Sequence, residues 1–222
     1  MEPAGDLDQL LARKRSFSAR AAATLGMAEH LRELRTWQIE RLARTYDDML
    51  RDSRYSRAVQ FFLTDLYGQR DSAARDRELA RASRYLRPTL PAAALAALEY
   101  AIALEVLNAD LDQAMIAALS AWPLTSDGYA VAYRAVGSRE ARQRQIELVV
   151  AIGESLDGTV RSEWVGAALR LARAPAYAAG FRTLQDFLER GHAAFASMTD
   201  PRPLLEAIRE RETRVVNDLF AV

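Results

Sequence analysis

Residues 91–121 read PAAALAALEYAIALEVLNADLDQAMIAALSA. Leu95, Leu98, Ile102, Ala109, Ile116 and Leu119 recur at steps of three and four, and Tyr100, Leu104, Leu107, Leu111 and Met115 form a second series at the same spacing. Steps of three and four place side chains on one face of an α-helix, and a helix with two apolar faces belongs in the middle of a bundle. Pro91 suits a first helical turn and Pro123 lies just past the run, so the spacing predicts a long central helix over about 91–121. Glu105 and Asp112 fall two turns apart inside the first apolar series, with Asn108 three residues from Glu105. A carboxylate on a buried face requires an ion-pair partner, hydrogen bonds or a metal.

Working outward, the rest of the chain follows the same period. Ala, Leu, Arg and Glu dominate, all good helix formers, and no segment alternates apolar and polar residues as a half-buried strand does. Helices are predicted over about 6–22, 24–51, 55–67, 72–86, 91–121, 126–135, 138–156, 159–174, 177–198 and 204–220. Gly68 is placed to stop the 55–67 helix as a left-handed cap, and Asp71 and Ser138 are placed to cap the helices that follow them. Pro88 and Pro175 read as breaks. The connections are short, as between antiparallel neighbours. The predicted fold is a single all-α domain over 1–222, a bundle of nine or ten helices around the 91–121 helix, with 1–22 as a more loosely attached N-terminal helix.

Composition bounds the function. The 222 residues carry 30 basic and 30 acidic side chains, so no global field favours nucleic acid or an anionic membrane. There is no cysteine, which removes disulfides, thiolate metal sites and a cysteine nucleophile. Lys14 is the only lysine among the basic residues. The N-terminal MEPAGDLDQLLARKR lacks the apolar core of a secretory signal, and Glu99 and Glu105 interrupt the most apolar stretch, so no membrane span and a cytoplasmic location are expected. Gly-rich phosphate loops, G-x-S-x-G and H-E-x-x-H are missing from the sequence.

Four groups of residues are candidate sites. In FFLTDLYG (61–68), Ala58, Val59, Phe62, Leu63 and Leu66 share a core face. Phe61 and Asp65 fall off that stripe, where an exposed aromatic beside a carboxylate marks a partner or ligand surface together with Tyr67. Arg77, Arg81 and Arg84 line one face of the 72–86 helix and could bind phosphate through guanidinium forks. Glu189 and His192 form a Glu-x-x-His, which with Glu105 and Asp112 gives a metal-ligand set of three carboxylates and one imidazole. Asp48 and Asp52 have the spacing of a diphosphate-binding acidic pair, but Arg44, Arg51 and Arg54 stand within reach to neutralise them.

FFLTDLYGQRDSAARD, ALEVLNADLDQAM, AYRAVGSREARQRQIELVVAIGESLD and LQDFLERGHAAF resemble motif segments of an uncharacterised family of all-helical bacterial proteins, mostly proteobacterial, with the pattern FFLxDLYGxxD. The likeness runs from about Arg54 to Phe220. It implies an all-helical fold and places Phe62, Asp65, Tyr67, Gly68, Asp71, Asp76, Glu105 and Asp112 in motif segments; it brings no activity, cofactor or catalytic residue.

The leading reading is a non-enzymatic binding or interaction protein, taking a small ligand or a protein partner, with a homodimer as one form of assembly. The first alternative is a helical-bundle oxidase whose metal or cofactor is held by Glu105, Asp112, Glu189 and His192. The second is a reader of phosphate or nucleic acid through the arginine stripe. The binding reading expects arginine partners for the buried acids; the oxidase reading expects the acids to converge on His192.

Overall fold

Strong helix formers and short connections produce eleven α-helices, with no strand, among the residues described by the computed structural model, which are 7–23, 26–68, 72–89, 91–160 and 163–221. They are α1 (Leu7–Ala23), α2 (Met27–Thr45), α3 (Asp47–Arg51), α4 (Ser56–Phe61), α5 (Ser72–Thr89), α6 (Ala92–Ala118), α7 (Ser126–Val136), α8 (Arg139–Val160), α9 (Glu163–Ala178), α10 (Arg182–Ala196) and α11 (Arg202–Phe220). The all-α bundle around a long central helix is the predicted fold. The extra helix arises at Tyr46, whose φ of −113° and ψ of 21° divide the predicted 24–51 helix into α2 and α3.

Why α6 is apolar on two faces is plain from its neighbours. It lies along α8 and touches α1, α2 and α7. Three hydrophobic clusters make up the core, and α6 supplies all of them: Leu104 to the first, Ala109, Met115 and Ile116 to the second, Ile102 and Val106 to the third. Among the described residues α6 is the one helix long and apolar enough, by length and composition, to cross a membrane. In this fold it is the axis of the bundle, and its Glu105, Asp110 and Asp112 are held in ion pairs.

Several boundaries follow the predicted chemistry. Ser138 Oγ accepts a bond from Ala141 N at 3.1 Å, and Thr125 Oγ1 one from Gly128 N at 3.1 Å, each satisfying a free N–H at a helix start. Others differ. α9 continues through Pro175 and stops at Gly180, where a φ of +75° lets Phe181 N bond Ala176 O at 2.8 Å. The bond Pro175 cannot donate would go to the carbonyl of Leu171, an exposed residue, where water can replace it. α5 likewise runs on through Pro88. Asp71 lies outside the described residues.

The largest departure is in FFLTDLYG. α4 does not continue to Tyr67; residues Phe62–Leu66 form a π-turn closed by Tyr67 N bonding Phe62 O at 2.9 Å. The wider turn shifts the angular phase of the helix by about one residue. Phe61 and Asp65, predicted to lie off the core stripe, are both turned inward. Phe61 packs on Phe187 and Phe195 of α10, with ring centroids 5.3 and 6.3 Å away. Gly191 makes room for it, since a Cβ there would lie 3.0 Å from Phe61 Cζ. Gly68 is not left-handed. It is required because a Cβ would sit 2.3 Å from the carbonyl oxygen of Thr64.

Candidate functional site

The π-turn and the central helix together bound a cavity of about 310 Å³. α2 supplies Leu31, Arg35, Gln38 and Arg41 to its wall; α6 supplies Glu105, Asn108 and Asp112; α7 supplies Tyr129 and Tyr133; α8 supplies Arg142, Gln145 and Ile146. Glu212 on α11, Lys14 on α1, and Arg75 and Asp76 on α5 complete the polar part, and Phe62, Leu63, Leu66 and Tyr67 come from the π-turn. A volume of this size with an apolar floor and a few convergent polar groups is the form of a small-molecule site.

The polar wall is paired almost throughout. Asp112 accepts from Arg35 Nε at 2.9 Å and from Gln38 Nε2 at 3.0 Å. Glu212 takes both its oxygens to Arg41 Nη1, at 2.8 and 2.7 Å, and accepts from the Tyr46 hydroxyl at 3.0 Å. Glu105 accepts from Arg75 Nη2 at 2.6 Å and from Lys14 Nζ, which also bonds Asp76 at 2.5 Å. Arg75 does a second job: its Nη1 donates to the carbonyl of Asp65 at 2.8 Å, tying the π-turn backbone to α6.

Among the described residues, five cations therefore stand in the wall, Lys14, Arg35, Arg41, Arg75 and Arg142, against four carboxylates, Asp76, Glu105, Asp112 and Glu212. The first four cations pair with the carboxylates. Arg142 has no carboxylate partner among the described residues. Its Nη1 donates to Gln145 Oε1 at 3.1 Å, and its guanidinium lies 4.1 Å from the centroid of the Tyr133 ring. Gln145 is itself anchored by donating from Nε2 to Asn108 Oδ1 at 2.6 Å. Arg142 is 5% exposed and its Nη2 has no hydrogen-bond partner. A buried guanidinium left partly unsatisfied is costly and rare.

Titration follows the same layout. Burial pushes the Glu105 carboxyl up, but Lys14 and Arg75 outweigh it and hold it below the usual range. Burial, with Glu105 close by, raises the Asp76 carboxyl against the pull of Lys14. Burial raises the phenols of Tyr46, Tyr67 and Tyr129, and takes Tyr133 to about 12. At neutral pH the cavity tyrosines keep their protons and can donate hydrogen bonds.

The sequence candidates distribute unevenly around this cavity. Glu105, Asp112 and Tyr67 line it. Phe61 is core. Asp65, 2% exposed, is neutralised by Arg190, whose Nε and Nη2 reach Oδ1 at 2.9 and 2.6 Å, and by the Thr64 hydroxyl at 2.8 Å. Neither Phe61 nor Asp65 offers the exposed surface expected of them, because α10 covers both. Glu189 and His192 face α9: Glu189 pairs with Arg173, with Nε at 2.9 Å from Oε1, and His192 sits against Gly166. Among the described residues no three His, Asp or Glu side chains form a metal-ligand group, so Glu105, Asp112, Glu189 and His192 do not come together as one. On α5, Arg77 is exposed, and Arg81 donates to the carbonyl of Gly180 at 2.6 Å, satisfying the end of α9. The side chain of Arg84 lies outside the described residues. Asp48 is engaged by Arg211 and Asp52 by Arg54.

Arg142 and Gln145 were missed. The signal existed: in ARQRQIELVV, Arg142 stands four residues before Ile146 and seven before Val149, on the buried stripe of α8. It is the same kind of misplaced charge that singled out Glu105.

A family model described as a domain of unknown function (DUF8198) matches residues 18–222. The chain belongs to the DUF8198 family. No curated protein and no solved structure matches it. The family match takes in α2 to α11 and with them every wall residue of the cavity except Lys14 and Phe17.

Proposed function

We propose that this protein binds a small organic molecule inside the bundle, in the cavity between the π-turn, α2, α6, α7, α8 and α11. The observation that carries the reading is the cavity itself, about 310 Å³ with an apolar floor and an ordered polar wall. A binding role accounts for the carboxylates Glu105 and Asp112 better than a metal does, since both are already engaged by basic side chains. The π-turn fits the same reading: such turns store local distortion that is often spent on shaping a site.

The test is occupancy. Ligand-observed NMR with a fragment mixture should detect binders to the wild-type chain. Ala109→Leu, which adds three heavy atoms in the cavity wall, should abolish the same signals while the circular dichroism spectrum stays helical. No binder in the wild type, or binders indifferent to Ala109→Leu, would remove the cavity as the site.

A further inference from the structure

Among the described residues, the cavity wall has one positive charge more than it has carboxylates, and that charge is fixed in place. Arg142 is the surplus cation. Gln145 and Asn108 hold it by a relay from α8 to α6, with bonds of 3.1 and 2.6 Å, and the Tyr133 ring supports its face. Arg142 lines the cavity, and its Nη2 has no hydrogen-bond partner. The other arginines of the wall cannot serve as readily, because an incoming anion would have to displace Asp112, Glu212 or Glu105 from them.

Resting on the cavity-binding reading, we infer that the ligand is an organic monocarboxylate with an apolar body, its carboxylate received by Arg142. One uncompensated charge calls for a monoanion, and a guanidinium presents N–H donors in the plane a carboxylate accepts. A phosphate dianion would leave the wall with an excess negative charge. Tyr67, Tyr129 and Tyr133 line the same space, and a phenol can donate to a carboxylate. The apolar body lies against Leu31, Phe62, Leu63, Leu66 and Ile146.

Isothermal titration of the full chain with a ω-phenylalkanoate series of two to six carbons, and with the matching neutral carboxamides, tests this. The acid of the best-fitting length should bind at least tenfold more tightly than its amide. Arg142→Met should bring the two affinities to within about twofold by weakening the acid alone. Gln145→Leu, which keeps the guanidinium but removes its tether, should reduce the preference in part, and it serves if Arg142→Met does not fold. Acid and amide binding equally to the wild type, or a preference unchanged in both variants, overturns the carboxylate inference while leaving the cavity reading standing. Binding by no member of either series overturns both.

Discussion

The guanidinium of Arg142 lies 4.1 Å from the centre of the Tyr133 ring, with Nη2 buried and unmatched, in a wall where the other cations are paired. Stability alone gives no reason to keep such an arrangement. A buried charge without a counter-charge opposes folding, and proteins retain these costs mainly where a ligand removes them.

Arg75 represents the opposite case. It is 5% exposed, binds Glu105 through one nitrogen and the Asp65 carbonyl through another, and stacks over Phe187 at 4.5 Å. Replacing it by methionine leaves a buried carboxylate with less compensation and a π-turn carbonyl with no donor. Urea unfolding should show a loss of about 3–5 kcal/mol.

Gly68 and Gly137 separate two reasons for glycine. At Gly137 the backbone is left-handed, with φ of +68°, and Gly137→Ala should cost about 1–2 kcal/mol. At Gly68 a Cβ would lie 2.3 Å from Thr64 O, which only backbone movement can relieve. Gly68→Ala should therefore be the more damaging of the two and should also disturb the cavity, read as a larger drop in Tm and weaker fragment binding.

Phe61 belongs to the core because α10 covers it. It closes α4 just before the π-turn begins, and it is buried because α10 packs Phe187 and Phe195 against it. Phe61→Ala should lose about 3–5 kcal/mol in urea unfolding. Arg77→Ala, at an exposed position of α5, should stay within about 0.5 kcal/mol of wild type.

Alkaline pH should expose the buried phenols. Burial raises Tyr133 from 10 to about 12, and raises Tyr46, Tyr67 and Tyr129 as well. A raised phenol favours the neutral form in the folded state, so its contribution is fully present below pH 10 and lost as pH climbs through about 12. Absorbance at 295 nm at pH 11 should show several of the eight tyrosines still protonated in the native chain and ionised in urea. Stability should fall between pH 10 and 12.

The parts of this fold that follow from local periodicity were legible in the sequence. The double apolar series of 91–121 reflects a helix that feeds three clusters at once, and the ion pairs of Glu105 and Asp112 follow from the cost of burying acids. What was not legible depends on tertiary geometry. The π-turn that re-aims Asp65 has no residue signature in FFLTDLYG, and neither has the packing of α10 that covers Phe61. Pro175 was tolerated because the bond it forfeits faces solvent. Glu189 and His192 share a helix face, but that face meets α9 and not the cavity. Arg142 was visible as a charge on an apolar stripe; that it lacks an acid among the described residues emerges only when all the walls are assembled.

The most direct measurement compares urea unfolding of wild type, Arg142→Met and Arg75→Met without ligand. If Arg142 is kept for a ligand, Arg142→Met removes an uncompensated buried charge and should leave stability unchanged or raised, while Arg75→Met loses about 3–5 kcal/mol. A comparable loss in both variants would make Arg142 a structural residue and contradict the account.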